Sequence, residues 1–183
     1  MAVVKHGVSS NTPDRMVFGP GAVYIGTGAV GDPGTILGAT LGGSVFEINR
    51  TFKDIRPDGS KGKVKGFRRV EEVEGTLTIK LLEITEANLL YALPGASATS
   101  HAITGAEIDD NDYISSVAIV AEVTGFTMTS APIGMSLSNC LVEGPLTFNL
   151  NNNEEATIEL KFTAHFADSD LTTEPWQLLY PSA

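Results

Sequence analysis

Between Ala22 and Gly34 the chain reads AVYIGTGAVGDPG, with Gly26, Gly28 and Gly31 at the spacing of a dinucleotide-binding turn. That turn works only where a strand runs into the glycines and a helix begins on them, so that the helix N-terminus faces a pyrophosphate. Val23 to Ile25 supply the strand, but Pro33 and Gly34 stand where the helix must start, and glycines and threonines continue to Gly43. The spacing reads as a chance match, and no nicotinamide cofactor is expected.

Other reactive groups are equally scattered. His6, His101 and His165 have no partner at metal-ligand spacing, and His165 is expected to face solvent from a strand. Asp109, Asp110 and Asp112 resemble the start of a calcium loop, but its glycine and closing glutamate are missing, so they read as a solvated turn. Glu71 with Glu72 and Glu154 with Glu155 are neighbours in sequence, which sets them on opposite faces of a strand rather than in shared acid-base work. Cys140, the only cysteine, lacks a catalytic companion, and no G-x-S-x-G occurs. The chain reads as a non-enzyme without cofactor or metal.

The elements that would position these residues are mostly strands. Val73, Gly75, Leu77, Ile79 and Leu81 alternate with Glu72, Glu74, Thr76, Thr78 and Lys80. Ala156, Ile158, Leu160, Phe162, Ala164 and Phe166 alternate with Thr157, Glu159, Lys161, Thr163 and His165. Both are half-buried antiparallel strands, and Leu146, Phe148 and Leu150 before the turn-forming NNNEE predict a hairpin with the second. Phe46, Ile48 and Phe52 share a face interrupted by Arg50, and the run from Tyr113 to Val123 is apolar on both sides. One helix is expected over 85–93, with Thr85 as N-cap, Leu89, Leu90 and Leu93 as its apolar stripe, and Pro94-Gly95 as its stop.

The fold class is therefore mainly β: an antiparallel sandwich or barrel with one short flanking helix, a long basic hairpin loop and extended terminal arms. Its predicted organisation is an N-terminal arm over 1–16, a body over 17–168 and a C-terminal arm over 169–183. Trp176, Leu178, Leu179 and Tyr180 would anchor that last arm on a surface. At 183 residues, 42% of them hydrophobic, the body can bury a substantial core. A lone cysteine, no signal-like N-terminus and no membrane-length apolar run make a soluble protein of a reducing cytoplasm the expectation.

Charge is unevenly distributed. Arg50 to Arg69 holds eight of the twelve basic residues against Asp54 and Asp58, a net of +6, which leaves −16 on the rest of a chain whose total is −10. A basic tongue on an acidic body suits like molecules meeting head to tail. Nucleic-acid patches interleave aromatics with cations, and only Phe52 and Phe67 flank this one. Within the tongue, Arg56 to Gly66 makes a hairpin loop of eleven residues where two to five are usual, which points to binding.

The stretch GATLGGSVFEINRTFKDIRPDGSKGKVKGFRRVEEVEGTLTIKLLEITEANLLYALPG, Gly38 to Gly95, resembles the core of tail tube (major tail) proteins of long-tailed bacteriophages. The shared features are a GxxxGGxxF opening into a strand, a DGxxGxVKG loop, an arginine-containing strand, and LTxxLLE before a short helix. The likeness is close over about a third of the chain. It implies a protomer of hexameric rings stacked into a hollow tube, in which Asp58, Gly59, Gly62, Val64, Lys65 and Gly66 reach a neighbouring subunit or ring. Arg56, Lys61, Lys63, Arg68 and Arg69 would supply the charge of that contact.

A ring of six would carry a formal charge of about −60. Glu72, Glu74, Glu154, Glu155 and Glu159 are the candidate bore-lining acids, which would repel DNA phosphates and let the genome pass without sticking. The implied partners are further copies of the chain, a tape measure protein, a tail terminator, and baseplate or tail-tip proteins. DNA would pass through without specific binding, and no membrane insertion is implied. Location in a virion tail, after assembly in the host cytoplasm, follows from the same resemblance. A contractile-tail tube or related injection particle would share this protomer. A carbohydrate-binding β-sandwich would instead show clustered exposed aromatics, and Trp176 is single.

Overall fold

The computed structural model describes residues 8–9, 12–13, 16–26, 34–123, 133–148, 150, 152 and 155–180, and the observations below concern these. Gly28, Gly31, Pro33, Glu154 and most of the predicted N-terminal arm lie outside them.

The chain is mainly β. Ten strands run in the order β1 (Val17–Ile25), β2 (Thr35–Ile36), β3 (Thr40–Asp54), β4 (Arg68–Leu81), β5 (Ala96–Thr99), β6 (Ala102–Gly105), β7 (Ile114–Val123), β8 (Ile133–Val142), β9 (Ile158–Ala164) and β10 (Trp176–Leu179). Helix α1 (Glu86–Ala92) follows β4, and a 3-10 turn at Asp110–Asp112 precedes β7. Eight strands form one antiparallel sheet in the order β2-β1-β7-β8-β9-β4-β3, with β10 on β8; β5 and β6 make a separate hairpin. The outermost strands of that path, β2 and β3, are consecutive in the chain and separated only by Leu37, Gly38 and Ala39. The sheet must therefore curl until its two ends meet, and no ladder joins β1 to β3 among the described residues, so the barrel keeps an open seam.

Alternation fills the interior as the sequence predicts. Leu77, Ile79 and Leu81 of β4 face Phe162, Leu160 and Ile158 of β9, and all six are fully buried. Val117 and Ile119 of β7 pair with Leu137 and Met135 of β8 and continue the core to Val23. In β8 the alternation breaks. Leu137 and Cys140 are both buried although three residues apart, as are Val117 and Ile114 opposite them on β7; the register runs through unshifted, and Asn139 at φ 49° marks the irregularity. One edge of β8 changes partner across the same point: Gly134 to Leu137 pair with β10, and Cys140 to Val142 with β9.

Two local expectations are corrected. Leu146, Phe148 and Leu150 form no strand: after Glu143 pairs with Lys161, Gly144 at φ 113° and Pro145, which has no N–H to donate, turn the chain away. Leu146 packs on the core, while Phe148 and Leu150 are exposed. The helix forms with Thr85 capping the Asn88 N–H and Leu89 packed on the core, but its fully buried residues are Asn88 and Ala92, Leu90 is half-buried, and Leu93 ends it exposed. The Asn88 amide donates to the Glu83 carbonyl at 2.8 Å and the Leu37 carbonyl at 3.4 Å, tying the helix to the β2–β3 crossing. Asn88→Ala leaves those buried carbonyls short of a donor, so it should cost about 1–3 kcal/mol, read in denaturant unfolding as a lower midpoint at unchanged slope.

Antiparallel pairing sorts the molecule into two poles. β1, β4 and β8 end, and β3, β7 and β9 begin, at the pole carrying α1, the β5–β6 hairpin and the 3-10 turn. The tip of the β3–β4 hairpin lies at the other.

Candidate assembly surface

β9 accompanies β4 only from Thr76 to Leu81, so Arg68 to Gly75 and the paired stretch of β3 continue as a ribbon of two strands. Gly75 is still buried against Leu137 and Ala164, and Val70 to Val73 lie beside Phe166, Leu171, Thr172 and Glu174, so the ribbon leaves the body flanked on one side and is exposed toward its tip. Isolated ribbons of this kind are marginal and need local ties.

The tip supplies its own ties. Ile55 N–H donates to the Phe67 carbonyl, which leaves the predicted 56–66 as the loop proper. Two tight turns build it: Ser60 N–H donates to the Pro57 carbonyl across Asp58-Gly59, and Phe67 N–H to the Val64 carbonyl across Lys65-Gly66. Gly59 at φ 82° and Gly66 at φ 86° take the left-handed position that each turn requires. Asp54 closes the neck, with its carboxylate 2.9 Å from Lys63 Nζ and 3.5 Å from Arg68 Nε. The hydrogen bond from Lys63, with the charges of Lys63, Arg68 and Arg56, holds the Asp54 carboxyl below its ordinary range. Since the folded form is the more acidic, this contribution to stability is present at neutral pH and fades as pH falls through that lowered value. The Arg68 guanidinium lies over the Phe52 ring at 4.3 Å, and Arg69 donates to the Gly66 and Arg68 carbonyls.

A second tie sits at the base. Glu174 gives one carboxylate oxygen to Arg50 Nη2 at 2.6 Å and the other to Trp176 Nε1 at 2.7 Å. Asp170 shapes the turn that presents it, accepting from Thr172 N–H, Thr172 Oγ1 and Thr173 N–H, bonds that hold its carboxyl well below the usual range. Sequence reading misses Glu174 because its partners are 124 and 2 residues away in different elements.

The predicted loop residues are thus brought together: Arg56, Asp58, Gly59, Lys61, Gly62, Lys63, Val64, Lys65, Gly66, Arg68 and Arg69 are all exposed on one projecting tip. Lys61 and Lys65 lie within ion-pair distance of no acid among the described residues, and Ile55, Val64 and Phe67 leave apolar surface beside them. The outer edge of β3 has no strand partner over its whole length among the described residues. Such an edge is a template for pairing with another chain.

The candidate acids divide. Glu72 and Glu74 of β4 and Glu159 of β9 share the outer face of the sheet with Glu47. That face also holds cations: Lys80 stands opposite Glu159, and Lys161 Nζ lies 3.7 Å from Glu74. Glu155 is exposed ahead of β9, and Glu154 is outside the described residues. Glu71 departs from strict alternation. It is the extra residue of a bulge between Thr51 and Phe52, and it reaches Lys53 at 3.9 Å.

The C-terminal segment docks on its own body. Trp176 to Leu179 add to β8 as β10, with Trp176 packed on the core and Leu179 half-buried, while Leu178 and Tyr180 remain exposed. His165 is half-buried rather than solvent-facing. Its Nδ1 lies 3.1 Å from the Asn139 carbonyl, its Nε2 is 4.0 Å from Glu143, and Tyr113 meets the ring edge-on. Burial pushes the Cys140 thiol up to about 12, which makes it an inert core residue. Among the described residues no group of His, Cys, Asp and Glu is arranged to hold a metal ion, and no helix is long and apolar enough to cross a membrane.

No protein-family model matches this chain, and no curated protein does. Among solved structures it is similar to a chain from the virion of a native gene transfer agent particle. That likeness covers 79% of this chain and 86% of the other, at 10% sequence identity and a TM-score of 0.42.

Proposed function

We propose that this protein is a non-enzymatic building block of a phage-type tail tube, in which copies form hexameric rings that stack into a hollow conduit for DNA. The observation that carries the reading is the projecting ribbon. It carries a cationic tip beyond the end of β9 and, among the described residues, leaves Lys61 and Lys65 without acidic partners and the β3 edge unpaired. A single folded domain gains little from such a feature, whereas a heterologous contact between identical copies uses it, and repetition of that contact makes an open filament.

The outer face with Glu47, Glu72, Glu74 and Glu159 against Lys80 and Lys161 fits a bore wall. Its net charge is negative, so phosphates are repelled, and the interleaved lysines keep like charges from crowding. The ring number, the remaining tail partners and the virion location belong to this proposal.

Electron microscopy of the concentrated protein tests it. Hollow rods or stacked rings, shortened by raising salt toward 1 M where the screening length falls to about 3 Å, are the expected result. Protein that stays monomeric at every concentration overturns the reading.

A further inference from the structure

The two poles carry opposite charge. Residues 82–113, which make α1, the β5–β6 hairpin and the 3-10 turn, hold six acids (Glu83, Glu86, Glu107, Asp109, Asp110 and Asp112) and no lysine or arginine. The ribbon from Arg50 to Arg69 carries +6, so this pole answers it with −6. Glu107 and Asp110 are exposed and bonded to nothing among the described residues, and exposed Ile84, Leu93, Ile108 and Tyr113 stand among the acids. The ribbon tip has the complementary pattern, free cations beside exposed Ile55, Val64 and Phe67.

The two surfaces cannot meet within one molecule. They lie at opposite ends of β4, whose fourteen residues separate them by roughly 45 Å.

We infer that the ribbon tip of one copy docks on the α1/β5–β6/3-10 pole of the next, Lys61 and Lys65 meeting Glu107 and Asp110 around the apolar side chains of both. This rests on the tube reading and deepens it by naming the face that receives the arm. Opposite poles make the contact heterologous, with all copies pointing the same way along the stack, and complementary charge fixes that polarity because ribbon against ribbon or pole against pole repels.

A charge exchange tests it. One variant carries Lys61→Glu and Lys65→Glu, the other Glu107→Lys and Asp110→Lys. None of the four side chains makes a bond to another described residue, so both variants should keep the wild-type thermal transition. Each alone should need roughly tenfold or more protein to assemble, and an equimolar mixture should recover assembly, since every ribbon then finds an opposite pole. In the wild type, carbodiimide should join Lys61 or Lys65 to Glu107 or Asp110, and mixing isotope-labelled with unlabelled protein should show those links to be between copies. Variants that assemble like the wild type, a mixture that does not recover, or ribbon links to another face would overturn the docking while leaving the tube reading intact. Wild-type protein that never assembles overturns both.

Discussion

Removal of Lys61 to Lys65 is expected to give a protein that folds as before but, if copies stack as proposed, no longer polymerises. The five residues make no contact with the core, and their departure leaves Arg56 to Ser60 and Gly66 as a loop near ordinary hairpin length. The neck survives, because Ile55 still pairs with Phe67 and Arg68 still reaches Asp54 once Lys63 is gone. Loop shortening also lowers the entropy of closing the hairpin slightly, a change of well under 1 kcal/mol. Thermal unfolding should therefore shift by no more than a few degrees, while sedimentation moves entirely to the monomer. Loss of the cooperative transition would show that the loop belongs to the folding core, and rods of normal length would remove the tip from assembly altogether.

Phe162→Ala has the opposite signature. Phe162 is fully buried where three strands meet, opposite Leu77 on β4 and Val142 on β8. Truncation leaves a cavity that neighbours held in ladders on both sides cannot fill, with an expected loss of about 3–5 kcal/mol. For a chain of this length each kcal/mol lowers the melting temperature by roughly 2–4 °C, so a fall of about 6–20 °C is expected in calorimetry. Leu150→Ala, at a side chain 79% exposed, serves as the control and should change little. A loss below about 1 kcal/mol at Phe162 would place the centre of the core elsewhere.

Sequence periodicity was sufficient where a strand is regular and one of its faces is buried. Leu77, Ile79 and Leu81, with Ile158, Leu160 and Phe162, announce β4 and β9 because each inward residue alternates with an outward polar one. The tip was equally legible, since Asp58-Gly59 and Lys65-Gly66 carry their turn chemistry in adjacent residues. Irregular geometry was not. Nothing in SLSNCLV marks Asn139 as the residue that takes a left-handed conformation, at the point where one edge of β8 passes from β10 to β9. Alternation misled at Leu146 to Leu150, where an apolar period reports one buried leucine and no ladder. On α1 it found Leu89 but not Asn88, whose burial depends on the Leu37 and Glu83 carbonyls outside the helix. The site divides in the same manner: a charged segment is visible in one dimension, but the grip of Glu174 on Arg50 exists only after folding.

That grip gives the ribbon a second anchorage. Load applied at the tip enters the barrel covalently along β3 and β4, and also crosses the Glu174 carboxylate to Trp176, hence to β10 and β8. A mast stepped at its foot and stayed to one side resists swivel as well as stretch. In the proposed stack, torque on one copy would thus pass through the wall of the next instead of being spent at a loose hinge.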